Sequence, residues 1–101
     1  MKKPGIAFDK NRIAIFCSKW RISEFALFGS SVRGDFNRDS DVDVLITLTD
    51  DAPWSLFDWS DMIDELEAIF GRKVDLVEKS SIRNPFRRKH ILENQMVLYA
   101  A

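Results

Sequence analysis

Eleven aspartates fall within 101 residues, and Asp39, Asp41 and Asp43 form two overlapping D-x-D pairs. A bare D-x-D is expected about once by chance in a chain this rich in aspartate, so it means nothing alone. Its setting is different. Gly29-Ser30-Ser31-Val32-Arg33-Gly34 is followed, after five residues, by Ser40-Asp41-Val42-Asp43. This chain's own residue frequencies give the seven fixed positions a chance expectation on the order of 10⁻⁶, which stays low after a discount for choosing the pattern. On an extended strand Asp41 and Asp43 leave the same face with Cα atoms about 6.5–7 Å apart, close enough to share one ion cluster. Val42, Val44 and Ile46 then enter the core and give the carboxylates a rigid base. Asp75 interrupts the apolar run Lys73-Val74-Asp75-Leu76-Val77 in the same manner. If the two strands pair, three carboxylates converge, and hard oxygen donors without His or Cys suit Mg²⁺ better than Zn²⁺. Gly29-Ser30 ends an apolar run and opens a turn whose free backbone N–H groups can face a phosphate, with the Ser30 hydroxyl beside them. Arg33 either holds phosphate oxygens or fixes the loop through an acidic neighbour. The combination fits metal-assisted nucleotidyl transfer.

The elements that must position these residues are read from periodicity. Asp9 stands as an N-cap before Ile13, Phe16, Cys17 and Trp20, which share one helical face, so a helix is expected over about residues 9–20. Glu24 to Phe28 reads as a buried strand stopping at Gly29-Ser30, where a short helical turn is expected, and Asp41 to Leu48 as a second strand. Leu56, Trp59, Ile63, Leu66 and Phe70, bounded by Pro53 and Gly71, mark an amphipathic helix. Lys73 to Glu78 predicts a third strand. Asn84-Pro85 caps a helix running to about Glu93, and Met96 to Tyr99 predicts a last short strand. The order implies a single α/β domain of the α+β kind over residues 1–101, a small mixed sheet with helices mainly on one face.

Composition bounds the function. The chain carries 15 Lys+Arg against 16 Asp+Glu, a formal net charge of −1, so no direct nucleic-acid binding through a basic surface is expected. Cys17 is the one cysteine and His90 the one histidine, which excludes an intrachain disulfide and a His/Cys zinc site. The N-terminal Met1-Lys2-Lys3-Pro4-Gly5 has no apolar run behind it, so neither signal peptide nor membrane span is expected and the cytoplasm is the default location.

With these residues in hand, the chain resembles the nucleotidyltransferase superfamily of DNA polymerase β type. Within it the likeness is to the minimal nucleotidyltransferases, small proteins often paired with HEPN-domain partners. The shared pattern is G-S-x-x-R-G, a short gap, S-D-x-D and a later third carboxylate, and it covers roughly residues 23 to 78. Members often carry Arg-Ala where Ser31-Val32 stand here. The resemblance implies a polymerase β-like core in which two Mg²⁺ ions bind Asp41 and Asp43, one of them also binding Asp75. ATP is the implied substrate, its leaving pyrophosphate held at Gly29 and Ser30, with Asp75 receiving the acceptor's proton. It also implies an antitoxin that transfers AMP to a tyrosine hydroxyl of a HEPN toxin.

Two other readings fit the same residues: an antitoxin that neutralises its partner by binding alone, and a small-molecule nucleotidyltransferase acting as an oligomer. Arg87-Arg88-Lys89 is expected as a solvated basic face or a docking patch for an acidic partner. His90 is expected on the surface or partly in the core, since the proposed chemistry needs no imidazole. Trp54, Phe57 and Trp59 crowd the start of the long helix, and one face cannot bury them all.

Overall fold

Asp9 caps the first helix: its carboxylate accepts from the backbone N–H of Asn11 at 2.9 Å and of Arg12 at 3.3 Å. Those are two of the donors that a helix start leaves unpaired. In the computed structural model, which describes residues 8–29, 32 and 40–101, helix α1 runs Lys10–Lys19 and turns Ile13, Phe16 and Cys17 inward. Strand β1 (Ile22–Phe28) and strand β2 (Val42–Leu48) follow, then helix α2 (Leu56–Phe70) and strand β3 (Val74–Glu78). A 3₁₀ turn (Lys79–Ser81), helix α3 (Pro85–Asn94) and strand β4 (Met96–Ala100) complete the order.

Local signals explain each boundary. Ser55 and Asp58 form a reciprocal capping box at the start of α2, and Gly71 ends the helix in the left-handed region at φ 68°. Asn84 accepts from the N–H of Phe86 and Arg87, and Pro85 occupies the first position of α3, where its missing N–H costs nothing.

The four strands lie in the order β3-β2-β1-β4. Strand β1 is antiparallel to both β2 and β4, whereas β2 and β3 are parallel. A parallel pair needs a long crossover, and α2 is that crossover. Phe25, Leu27, Val42, Val44, Ile46, Val74 and Leu76 bury one face of the sheet against α1 and α2. Ala26, Phe28 and Leu45 form a smaller core on the other face with Ile82 and with Ile91 of α3. The expected α+β class, with a mixed sheet and most helical cover on one face, is the fold adopted.

Several strand boundaries differ from expectation: the third strand begins at Val74, not Lys73, and the last runs to Ala100, not Tyr99. The first strand begins at Ile22, two residues earlier than read, and the strand read from Asp41 begins at Val42. The helical turn expected after Gly29-Ser30 falls largely outside the described residues. Within them, the Val32 N–H donates to the Gly29 carbonyl at 3.2 Å. No helix among the described residues is long and apolar enough to cross a membrane.

Candidate active site

Parallel pairing of β2 with β3 sets Asp43 directly beside Asp75. The ladder runs Val42↔Val74, Asp43↔Asp75, Val44↔Leu76. Neighbouring strands lie about 4.8 Å apart and their side chains alternate between faces. Since Val42, Val74, Val44 and Leu76 all enter the core under α1 and α2, Asp43 and Asp75 must leave together on the opposite face. Asp43 is half-buried and Asp75 exposed. Each fully buried Val or Ile alongside contributes about 1.5–3 kcal/mol of burial, so Asp43 stands on the stiffest part of the sheet.

Asp41 is placed differently from expectation. It precedes β2 by one residue and is exposed, so it stands at the end of an interior strand, one residue before the ladder begins. The Val42 N–H, bonded to the Lys73 carbonyl at 2.9 Å, pins that end of β2 to the chain entering β3. Among the described residues no three His, Cys, Asp or Glu side chains are gathered into one cage. The structure sets Asp43 beside Asp75, with Asp41 two residues before Asp43 at the start of the same strand. The donor chemistry still fits a hard divalent cation. All three groups offer carboxylate oxygen, the hard donor that Mg²⁺ takes.

Phe28 is the partner of Asp43 across β1 and β2, so the next residue, Gly29, passes over the Asp43 carboxylate. Gly29 has φ 61°. A Cβ built there would overlap Asp43 Oδ2 and lie 3.1 Å from Cγ. Sequence reasoning assigned Gly29 to close approach by a phosphate; its backbone also has to clear the carboxylate beneath it. Ser30 and Arg33, the other expected phosphate-binding residues, lie outside the described residues.

Beside Gly29 opens a cavity of about 270 Å³, lined by Phe28, Gly29 and Val32 on one side and by Arg87, His90, Ile91 and Asn94 on the other. Sequence reasoning missed this wall of α3, although the spacing 87, 90, 91, 94 is that of a single helical face. The basic run divides three ways. Arg87 lines the cavity, Arg88 donates to the Lys79 carbonyl at 2.9 Å, and Lys89 pairs with Glu93 at 3.9 Å. The aromatic crowd on α2 also divides: Trp54 packs edgewise on Trp20 at 5.0 Å and donates to its carbonyl at 2.7 Å, while Phe57 stays 85% exposed.

The family model described as nucleotidyltransferase domain matches residues 10–98. The chain belongs to the nucleotidyltransferase domain family. Over 80 residues, 79% of this nucleotidyltransferase and 80% of the relative, it is 38% identical to MJ1379 of Methanocaldococcus jannaschii, named as a candidate protein adenylyltransferase. It is 41% identical over 66 residues, 65% of each chain, to the protein adenylyltransferase MntA of Thermococcus cleftensis. A chain from a toxin–antitoxin crystal structure with AMP-PNP shares the fold at TM-score 0.73 and 20% identity, covering 92% of this nucleotidyltransferase and 74% of that chain. Another, from a structure of a tri-AMPylated Shewanella oneidensis HEPN toxin in complex with MNT antitoxin, shares it at TM-score 0.65 and 18% identity, covering 91% and 70%.

Proposed function

We propose that this nucleotidyltransferase transfers AMP from ATP to a tyrosine hydroxyl of a partner HEPN toxin, and so acts as its antitoxin. The observation that carries the reading is the register pairing of Asp43, which lies under Gly29, with Asp75, two hard-oxygen donors on one face of the sheet. The name of the Thermococcus relative and the AMPylated toxin in the Shewanella complex support the choice of AMP and of acceptor.

Asp41, Asp43 and Asp75 would hold the divalent cations, two Mg²⁺ ions on the family's pattern. Bound there, Mg²⁺ neutralises triphosphate charge and lowers the pKa of the acceptor hydroxyl. Asp75, exposed on the open face, takes the hydroxyl proton as the tyrosine oxygen attacks the α-phosphorus in line. A phosphorus–oxygen bond forms to tyrosine, the bond from the α-phosphorus to the bridging oxygen breaks, and pyrophosphate departs. Backbone N–H groups at the Gly29-Ser30 turn, the Ser30 hydroxyl and the Arg33 guanidinium orient the β- and γ-phosphates. A lone thiol at Cys17 is at home in the reducing cytoplasm, where we place the reaction.

The test is transfer of label from α-labelled ATP, with Mg²⁺, to a candidate HEPN toxin, beside an Asp41→Asn/Asp43→Asn control. The expected result is toxin-bound label and a mass gain of one or more AMP groups with the native chain alone. Stable co-purification with the toxin but no label would overturn transfer in favour of neutralisation by binding.

A further inference from the structure

Gly29, Asp43 and Asp75 lie in a line across the sheet. Gly29 continues β1, Asp43 stands on β2 beneath it, Asp75 is the partner of Asp43 on β3, and β3 is an outer strand. In-line displacement holds the attacking and leaving oxygens on opposite sides of the α-phosphorus. With pyrophosphate leaving toward Gly29, the acceptor hydroxyl therefore comes from the far side of Asp75, over the outer edge of β3. Two hydrogen bonds show how that edge is built. The Lys73 carbonyl turns inward to the Val42 N–H at 2.9 Å, and the Val74 N–H turns away from β2 to Glu67 Oε2 at 3.0 Å. Backbone groups along a parallel strand alternate in this way, so Asp75 directs its own to β2, while Leu76 and Glu78 present N–H and carbonyl groups outward. Glu67 occupies the edge at Val74. Among the described residues no strand occupies it at Leu76 and Glu78.

We propose that the acceptor tyrosine reaches the site on an extended segment of the partner, which adds to the sheet as a further strand along β3; the proposal rests on the nucleotidyl-transfer reading above. An unpaired strand edge recognises another extended backbone through its N–H and carbonyl groups. Side chains of neighbouring strands project in register, so the residue set beside Asp75 shares its face, the one that carries Asp43. That residue must be long. A tyrosine leans across Asp75, gives its proton to the carboxylate and bonds to the α-phosphorus as pyrophosphate leaves, whereas a serine hydroxyl, borne on the β-carbon, falls short. Asp75 and Glu78 put negative charge along this strand, which disfavours a second copy of β3 laid against it and favours a segment of another protein.

The experiment supplies the native chain with α-labelled ATP, Mg²⁺ and one of four acceptors. These are a candidate HEPN toxin, the peptide Thr-Val-Thr-Tyr-Thr-Val-Thr, and two forms of that peptide N-methylated on alternate amides, one at the threonines beside tyrosine and one at tyrosine and the valines. The parent peptide should take label. One methylated form should lose it by about tenfold or more, the worth of one or two backbone hydrogen bonds, and the other should keep it, because only every second amide faces β3. Hydrogen exchange at the Leu76 amide, followed with a non-hydrolysable ATP analogue and Mg²⁺, should slow by about tenfold or more when the parent peptide is added. Equal effects of the two methylations, no slowing at Leu76, or a labelled toxin beside an unlabelled parent peptide overturns strand addition while leaving nucleotidyl transfer standing. Slowing at Leu76 that follows the chain's own concentration without peptide gives the edge to a second copy and also overturns it. No label on any acceptor, the toxin included, overturns the nucleotidyl-transfer reading and this inference with it.

Discussion

Gly29 and Asp43 are fitted to one another: the glycine lies over the carboxylate so closely that a β-carbon would overlap Asp43 Oδ2. The backbone at Gly29 is also left-handed, at φ 61°, a conformation that costs an L-residue about 1–2 kcal/mol. Gly71 has a similar φ of 68° with nothing within 4 Å of an added Cβ. The two glycines separate backbone strain from displacement of the carboxylate. Gly71→Ala should lower stability by about 1 kcal/mol and leave transfer intact. Gly29→Ala should carry a similar or larger stability cost and reduce transfer by about a hundredfold, because Asp43 must move. Urea denaturation and single-turnover labelling of both variants check this; equal activity in the two would show that Asp43 tolerates displacement.

Cys17 lies fully buried in the larger core, and burial pushes its thiol up to about 12. The folded chain therefore keeps its proton where the unfolded chain, titrating near 8.5, loses it. The unfolded state binds fewer protons above that point, so stability should fall as pH rises from about 8.5 toward 12, and Cys17→Val should flatten the decline. Alkylation by iodoacetamide at pH 8 should be at least about a hundredfold slower than in denaturant, since it requires opening of the core. Denaturation curves at several pH values and mass-detected alkylation check both outcomes.

Much of this arrangement was legible because it is local. Asp9, Asn84-Pro85 and the three- and four-residue spacing of α2 announce their helices within a few residues of chain. The placement of Asp75 opposite Asp43 is a property of register, set by how α2 returns the chain to the sheet, and no residue near Asp75 encodes it. The run Val44-Leu45-Ile46 conceals a second reading: Val44 and Ile46 enter the core under α1 and α2, whereas Leu45 enters the smaller one with Ile82 and Ile91. A continuous apolar run carries that two-sided burial without saying which helix supplies the second cover. The wall of α3 was missed because consecutive basic residues suggest one charged face, while the helix turns each by about 100° toward a different neighbour.

Arg21 is the one non-glycine residue with positive φ among the described residues, at 56°. Its guanidinium reaches Asp51 Oδ2 at 3.3 Å, and the Thr49 hydroxyl donates to Asp51 Oδ1 at 2.6 Å. The Thr49 hydrogen bond first, and the Arg21 charge after it, hold the Asp51 carboxyl below its ordinary range. A carboxyl lowered in the folded state favours folding above the unfolded pKa, and that contribution disappears as pH falls through the folded value. Thr49→Val should thus be slightly less stable than the native chain at about pH 6, with the difference vanishing by about pH 2. Thermal melts at both pH values decide it; a gap that persists in acid would place the effect in packing.

Asp43 and Asp75 are register partners on the parallel strands β2 and β3, so both carboxylates leave one face of the sheet. Asp75→Asn removes one of the charges while keeping the shape. Asp75 is exposed, so without divalent cation this variant should match the native chain in stability to within about 0.5 kcal/mol. Mg²⁺ should raise the melting temperature of the native chain by mass action and do so much less in Asp75→Asn or Asp43→Asn. On the proposed function, transfer of AMP should fall by at least about a hundredfold in either variant, since each removes a carboxylate proposed to hold the divalent cation. A functional carboxylate is identified by a substitution that spares the fold and harms the reaction. Thermal shift with and without Mg²⁺, beside labelling from α-labelled ATP, measures both. A loss of activity accompanied by an equal loss of cation-free stability would instead make Asp75 part of the scaffold.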